Sequence, residues 1–218
     1  MTVSQAVEKV VSVKPFVLEA LADGLMNISS LARTITPDVT VLVGKEVKQG
    51  AIVMALNRFA VRINKSDIWN LNKMFNQLGD IVVRSNLVDY TFRNSSTILA
   101  CHNKLMNEIS DRPENFYTLV RGVFESNLVV GSTLSELVER VYAKEESKGV
   151  QRNLSAVTLA LPTNNITEVG YYYQIMKYIA WEGINVIEVI STTNEFTIIV
   201  EEEDVDRAFT TLKRLKRY

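Results

Sequence analysis

One cysteine and one histidine are all that this chain of 218 residues offers to thiol, imidazole or zinc chemistry. Cys101 has no partner for an internal disulfide, and a single thiol suits a reducing cytoplasm. Cys101 and His102 are neighbours on a predicted helix, where adjacent side chains point about 100° apart. They therefore converge neither on one metal nor into a nucleophile–base pair. Nine glycines are present but never in GxGxxG or GxxxxGKS/T spacing, so the loops that cradle nucleotide phosphates are missing. No apolar run approaches the roughly 20 residues of a membrane span. The net charge of −1 gives no general attraction for polyanions. The opening MTVSQAVEKVVSVK carries charge where a signal peptide needs its apolar stretch. These absences lead us to expect a cytoplasmic protein that is not an enzyme and needs no cofactor or metal.

What is present suits a folded chain of two or three modules: 47% hydrophobic and 22% charged residues are ordinary globular values. Residues 1–72 read as helical. Pro15 fits the first turn of a helix over KPFVLEALADGL, which Gly24 ends. Asn27 is placed to cap ISSLARTI, and Pro37 is expected to terminate it, because Thr36 before it is pushed from the helical region. A third helix runs from about Lys45 through Phe59, with Ile52, Val53, Leu56 and Phe59 on one face.

Residues 80–150 open on the strand-like DIVVRSNLVDYTF, after the connector LNKMFNQLG. Asn94, Ser95 and Ser96 can cap a helix to about Ile109, closed by Asp111-Arg112-Pro113. A hairpin of FYTLVRGVF and NLVVG and a helix LSELVERVYAKEE complete the unit. From Leu154 the order repeats about 70 residues on. The strand LSAVTLALP ends at Pro162, the turn TNNITEVG leads into the helix YYYQIMKYIAWEG, the strands INVIEVIST and EFTIIVEEED turn at Thr193-Asn194, and the helix VDRAFTTLKRL closes the unit. Each half is β-α-β-β-α, with the join expected at GVQRN, 149–153. The strand at 154–162 could belong to either sheet.

A strand that ends in a polar loop and starts a helix presents free backbone N–H groups, which attract a carboxylate. After Pro162, the side chains of Thr163, Asn164, Asn165 and Thr167 add donors and acceptors. The acidic run Glu201-Glu202-Glu203-Asp204 splits between two strand faces and precedes a helix N-terminus, so dipole complementarity explains it without a metal.

The motif set of Pro162, the turn up to Gly170, Glu182-Gly183-Ile184-Asn185-Val186, Ile190-Ser191-Thr192 and the acidic turn resembles the ACT domain, an amino-acid-sensing regulatory module, most closely the versions attached to aspartate kinases. The likeness covers Leu154 to Arg217, 64 residues of 218. It implies an α+β fold of tandem ferredoxin-like βαββα(β) ACT-type domains with antiparallel sheets, a divergent copy over 80–150 and a second over 151–218. It also implies an amino acid bound at a dimer interface, and hence a homodimer, with Asn164, Asn165, Ile166, Thr167, Glu168, Val169 and Gly170 from the loop and Asn185 and Val186 from the following strand. The pattern departs at Tyr171, Tyr172 and Tyr173, where the family keeps small residues. The first copy's loop, Phe92 to Ser96, is not comparable and is expected to be structural.

ISSLARTI followed by GKEVKQGAIVMALNRF is similar to bacterial helix-turn-helix or winged-helix modules, which would place Lys45, Lys48, Gln49 and Arg58 against nucleic acid. Through residue 70 there are 8 basic and 6 acidic residues, a balance of +2. That slight excess leaves DNA contact and protein docking both open. The function expected is ligand sensing relayed to the helical module. A dimerisation platform without ligand and a DNA-binding regulator are the alternatives.

Overall fold

The computed structural model describes residues 1–63, 77–110, 115–167 and 170–216. The chain divides into two compact units, residues 1–73 and 74–218. The expected closure of a helix by Asp111-Arg112-Pro113 and most of the connector at 71–79 lie outside the described residues.

The first unit contains four helices among its described residues: α1 (Val3–Ser12), α2 (Pro15–Ala22), α3 (Ile28–Val43) and α4 (Gln49–Arg62). Helix α1 is an addition to the sequence reading. Its start is fixed by a capping box in which the Thr2 hydroxyl accepts from the Gln5 N–H and the Gln5 side chain accepts from the Thr2 N–H. Pro37 does not terminate α3 but lies inside it. The lost N–H costs a hydrogen bond, yet the stripe of Leu31, Ala32, Ile35 and Val39 stays buried across the proline. That burial, about 1.5–3 kcal/mol for each large aliphatic side chain, outweighs the local defect. Gly44, at φ 77°, ends the helix in the left-handed region that glycine tolerates. The core joins Ala6, Val7, Val10 and Val11 of α1 to Ile35 and Val39 of α3 and to Ile52, Leu56 and Phe59 of α4. No strand occurs among the described residues of this unit, so it has no wing there.

The second unit alternates β1 (Ile81–Arg93), α5 (Ile98–Ile109), β2 (Tyr117–Arg121), β3 (Glu125–Gly131), α6 (Ser135–Val141), β4 (Ser147–Ala160), α7 (Tyr171–Trp181), β5 (Glu188–Ser191), β6 (Glu195–Glu201) and α8 (Val205–Leu215). The β-α-β-β-α order occurs twice, but the strands form one six-stranded sheet, β2-β3-β1-β4-β6-β5, with antiparallel pairing at every step. The expected separate sheets are therefore merged. Residues 149–153, expected as a join, are strand, because Gly149, Val150 and Gln151 pair with Thr91, Tyr90 and Asp89.

The strand order reads the same from both ends when each half is numbered alone. Leu87 faces Leu154 across the central pair, and β1 and β4 each insert one extra residue there, Asn86 and Asn153. Each is a β-bulge that bends its strand at the local two-fold. As a result, Ile81–Arg84 pair with Ala156–Leu159, while the later part of β1 pairs with the earlier part of β4.

Alternation along the strands gives the sheet two apolar faces. Val88, Tyr90, Phe92, Leu128 and Val130 pack under α5 and α6 with Ile98, Leu105, Leu134 and Val138. On the opposite face Leu87, Val129, Leu154, Ala156 and Ile199 form a smaller cluster, edged by Phe116, Ile187 and Ile190. Asp89, Asn127 and Glu188 meet the same region, Asn127 Nδ2 donating to Asp89 at 2.7 Å and to Glu188 at 3.2 Å.

Candidate functional site

The loop that follows β4 is built by its asparagines. Thr163–Ile166 make one 3₁₀ turn after Pro162. Asn165 Nδ2 donates to the Pro162 carbonyl at 2.8 Å and to the Thr193 carbonyl at 2.6 Å, and the Leu161 N–H donates to the Asn194 carbonyl at 2.7 Å. The loop is thus stitched to the β5–β6 turn. Thr167 Oγ1 donates to the Asn164 carbonyl at 2.9 Å, and the Ile166 side chain is exposed. Asn164 Oδ1 is buried with no hydrogen-bond partner among the described residues. Gly170, at φ 109°, precedes α7 and brings no side chain to cap it. Glu168 and Val169 lie outside the described residues.

The three tyrosines diverge, as successive helical residues must. Tyr171 is buried. Tyr172 leans on Phe196, ring centroids 5.0 Å apart, and its hydroxyl meets Ser191 Oγ at 3.0 Å. Tyr173 turns outward beside Lys177, whose ammonium also stands 4.6 Å from the exposed Trp181 ring.

Asn185 and Val186 do not join this loop within the chain. They precede β5, which is limited to Glu188–Ser191 rather than spanning the predicted INVIEVIST. Asn185 lines a separate cleft of about 730 Å³ with Gln151, Asn153 and Glu201–Glu203. That cleft adjoins the Leu154–Glu201 pair, whereas the loop follows the Ala160–Glu195 pair. The two levels are about 20 Å apart along the strand. Among the described residues no group of three or more His, Cys, Asp or Glu is placed to hold a metal. In the acidic run, Glu202 accepts from Ser155 and Asp204 pairs with Arg207 at 2.7 Å.

The corresponding loop of the first half is organised quite differently. Ser95 Oγ accepts from the N–H groups of Thr97 and Ile98, capping α5 at 3.1 and 3.0 Å. Glu145, from the link between α6 and β4, accepts from Ser95 Oγ at 2.5 Å, Thr97 Oγ1 at 2.7 Å and Cys101 Sγ at 3.5 Å. The Ser95 and Thr97 hydroxyls hold its carboxyl below the usual range. Burial, reinforced by Glu145, pushes the Cys101 thiol up and away from nucleophilic use. Behind it, His102 Nε2 meets Ser126 Oγ at 3.3 Å and Nδ1 meets the Tyr142 hydroxyl at 2.6 Å. Ser126 donates its one hydrogen to Asn94 Oδ1, so His102 donates from Nε2 and accepts at Nδ1. Sequence reading found the cap but missed Glu145, because its partners lie 44 to 50 positions away.

In the first unit, Lys45, Lys48, Gln49 and Arg58 are all exposed. Gln49 donates to the Ser29 carbonyl and Arg58 to Ser4 Oγ, so two of the four are engaged within the unit. Arg58 stands about 14 Å along α4 from Gln49.

No protein-family model matches this sequence, and neither does any curated protein. Similar folds are found among solved structures. The ligand-free regulatory subunit of aspartate kinase from Thermus thermophilus superposes with a TM-score of 0.51 at 11% identity, over 64% of this chain and 98% of that one. The aspartate kinase of Clostridium acetobutylicum gives 0.53 at 12% identity, over 64% of this chain and 35% of that one, so the chain spans about a third of that enzyme. Aspartokinase III of E. coli, solved with aspartate and ADP, gives 0.51 at 12% identity, over 64% and 33%. What this chain shares with them is the fold of an ACT-type regulatory region.

Proposed function

We propose that this protein is a non-catalytic regulator whose second half senses a small ligand of amino-acid type at the loop 163–170 and relays occupancy to the helical unit. Asn164 Oδ1 carries the reading: a buried acceptor without a donor among the described residues costs roughly 1–3 kcal/mol, and a ligand ammonium would satisfy it. The uncapped start of α7 is suited to the carboxylate of the same molecule. A fold shared with a regulatory subunit of aspartate kinase supports this direction. In this reading residues 80–150 and 151–218 are two ACT-type copies, and two chains pair so that Asn185 and Val186 of one approach the loop of the other. Binding favours one packing of the pair, and the helices report it. Calorimetry against a panel of free amino acids tests the reading. Heat that disappears in Asn164→Ala is the expected result, and silence from every amino acid at millimolar concentration overturns it.

A second reading, a pairing platform that takes no ligand, is favoured by the outward face of α7. Tyr173, Lys177 and Trp181 stack there, and Trp181 is 70% exposed. Exposed aromatics of this kind mark interfaces. Sedimentation of Trp181→Ala distinguishes the two: loss of the dimer with amino-acid binding absent in the parent protein supports the platform.

A further inference from the structure

Asn127 and Glu188 touch although the order of the sheet separates them. Their strands, β3 and β5, stand four strand spacings apart in β2-β3-β1-β4-β6-β5, about 19 Å if the sheet were flat. Asn127 Nδ2 nevertheless donates to Glu188 Oε1 at 3.2 Å, and to Asp89 Oδ1 of β1 at 2.7 Å. The sheet therefore folds over its smaller apolar face, bending where Asn86 and Asn153 interrupt the central pair. Leu87, Val129, Leu154, Ala156 and Ile199 are each at most 2% exposed there, although the described members of their cluster come from strands and the residues just before them. The two halves shelter this face for one another.

Within that closure β5 is lightly held. It is an edge strand of four residues, Glu188–Ser191, laddered on one side to β6, and Glu188 ties it to the first half. Two carboxyls on one amide nitrogen lie within about 6 Å of each other, so each charge opposes the other. Burial, and then the Asp89 charge, pushes the Glu188 carboxyl up, while burial pushes Asp89 up despite Asn127. The register sets the other charged side chains of this face further along the strands. On β1, Arg84 stands 5.7 Å from the Phe116 ring, and Arg93 pairs with Glu146 at 3.4 Å. Glu125 of β3 lies across from Arg93, and Glu201 of β6 lines the cleft of about 730 Å³. Gln151 of β4 and Thr118 and Val120 of β2, which complete the face around Asp89 and Asn127, are uncharged. The same cleft shares Leu154 and Ile187 with the apolar cluster, so loosening β5 would extend it over that face.

We propose that β5 is a proton-controlled strap, closed on the first half while Asp89 or Glu188 is protonated and released when both are charged. The closed form binds more protons than the released one, so rising pH favours release. The device needs no ligand at the loop 163–170 and stands apart from the function proposed above.

The test is amide hydrogen exchange of the full chain at pH 5 and pH 8, with rates corrected for intrinsic exchange. Peptides spanning β5 should lose about tenfold more protection than those spanning β2, the matching edge strand of the first half. Glu188→Gln keeps an acceptor for Asn127 without a charge, and should remove the difference. Equal loss at both edges overturns the proposal, because it reports general destabilisation, and so does no loss at either. A loss confined to β5 that persists in Glu188→Gln overturns it too. If that variant does not fold, Asp89→Asn takes its place under the same criteria. Failure of both to fold also overturns the proposal, since a neutral side chain should favour the closed strap.

Discussion

Asn86 and Asn153 hold the same left-handed backbone conformation, φ 60° and φ 58°, each one residue before a leucine of the central Leu87–Leu154 pair. Non-glycine residues seldom adopt this region, and asparagine does so more readily than most. The two bulges let β1 and β4 cross the pseudo-two-fold while keeping both apolar faces in register. Replacing either asparagine with alanine should cost about 1 kcal/mol, and with glycine much less. Urea midpoints of the four variants check this; an alanine variant as stable as its glycine counterpart would count against the strain argument.

Leu87→Ala and Leu154→Ala should each cost about 2–5 kcal/mol, because each opens a cavity in a face with few residues to refill it. The side chains belong to one cluster, so the double variant should depart from additivity by about 0.5 kcal/mol or more. A denaturation cycle over the four proteins measures the coupling, and strict additivity would place the two leucines in separate packing environments.

Asp89 is 4% exposed, and burial raises its carboxyl pKa despite the Asn127 hydrogen bond. Glu188 is raised too, by burial and then by the Asp89 charge. A carboxyl raised in the folded state binds more protons there than in the unfolded chain. Stability therefore falls as pH rises above the unfolded value of about 4, and the penalty is complete beyond the folded pKa. Asp89→Asn should raise stability by about 1 kcal/mol at pH 7 and by nothing near pH 3.5. A gain that is independent of pH would assign the effect to packing instead.

His102 behaves in the opposite sense. Burial, and then the Arg121 charge, lowers its pKa, with Glu145 opposing. The folded protein holds the ring neutral between Tyr142 and Ser126, while the unfolded chain takes a proton below about pH 6.5. Stability is therefore complete above that pH and declines beneath it, toward the folded pKa. Between pH 7.5 and 5 the parent protein should lose about 1 kcal/mol more than His102→Gln. Parallel pH profiles for the two would show that the histidine does not titrate across unfolding.

Much of the second unit was legible because period-two alternation and turn residues mark its strands, and the order of elements repeats. The single sheet was not, since Gly149 to Asn153 read as a polar join and become strand only through pairing with β1. Pro37 misled for a related reason: a local rule about the residue before proline yielded to a buried stripe that local rules do not see. Within the loop, Asn164 and Asn165 look equivalent in sequence, yet Asn165 holds the turn and Asn164 has an oxygen with no partner among the described residues. Glu145 sat in a run of charges with nothing nearby to announce its role.

The pairing of Ile81–Arg84 with Ala156–Leu159 also sets an order of events during synthesis. The first of these strands leaves the ribosome about 75 residues before its partner, a delay of roughly 4–15 s at typical elongation rates. Throughout that interval the inner edge of β1 has no neighbour on one side, the kind of exposed edge that recruits other chains. The nascent chain completes its sheet from the middle outward only once β4 emerges, so shielding of that edge is a requirement of the topology itself.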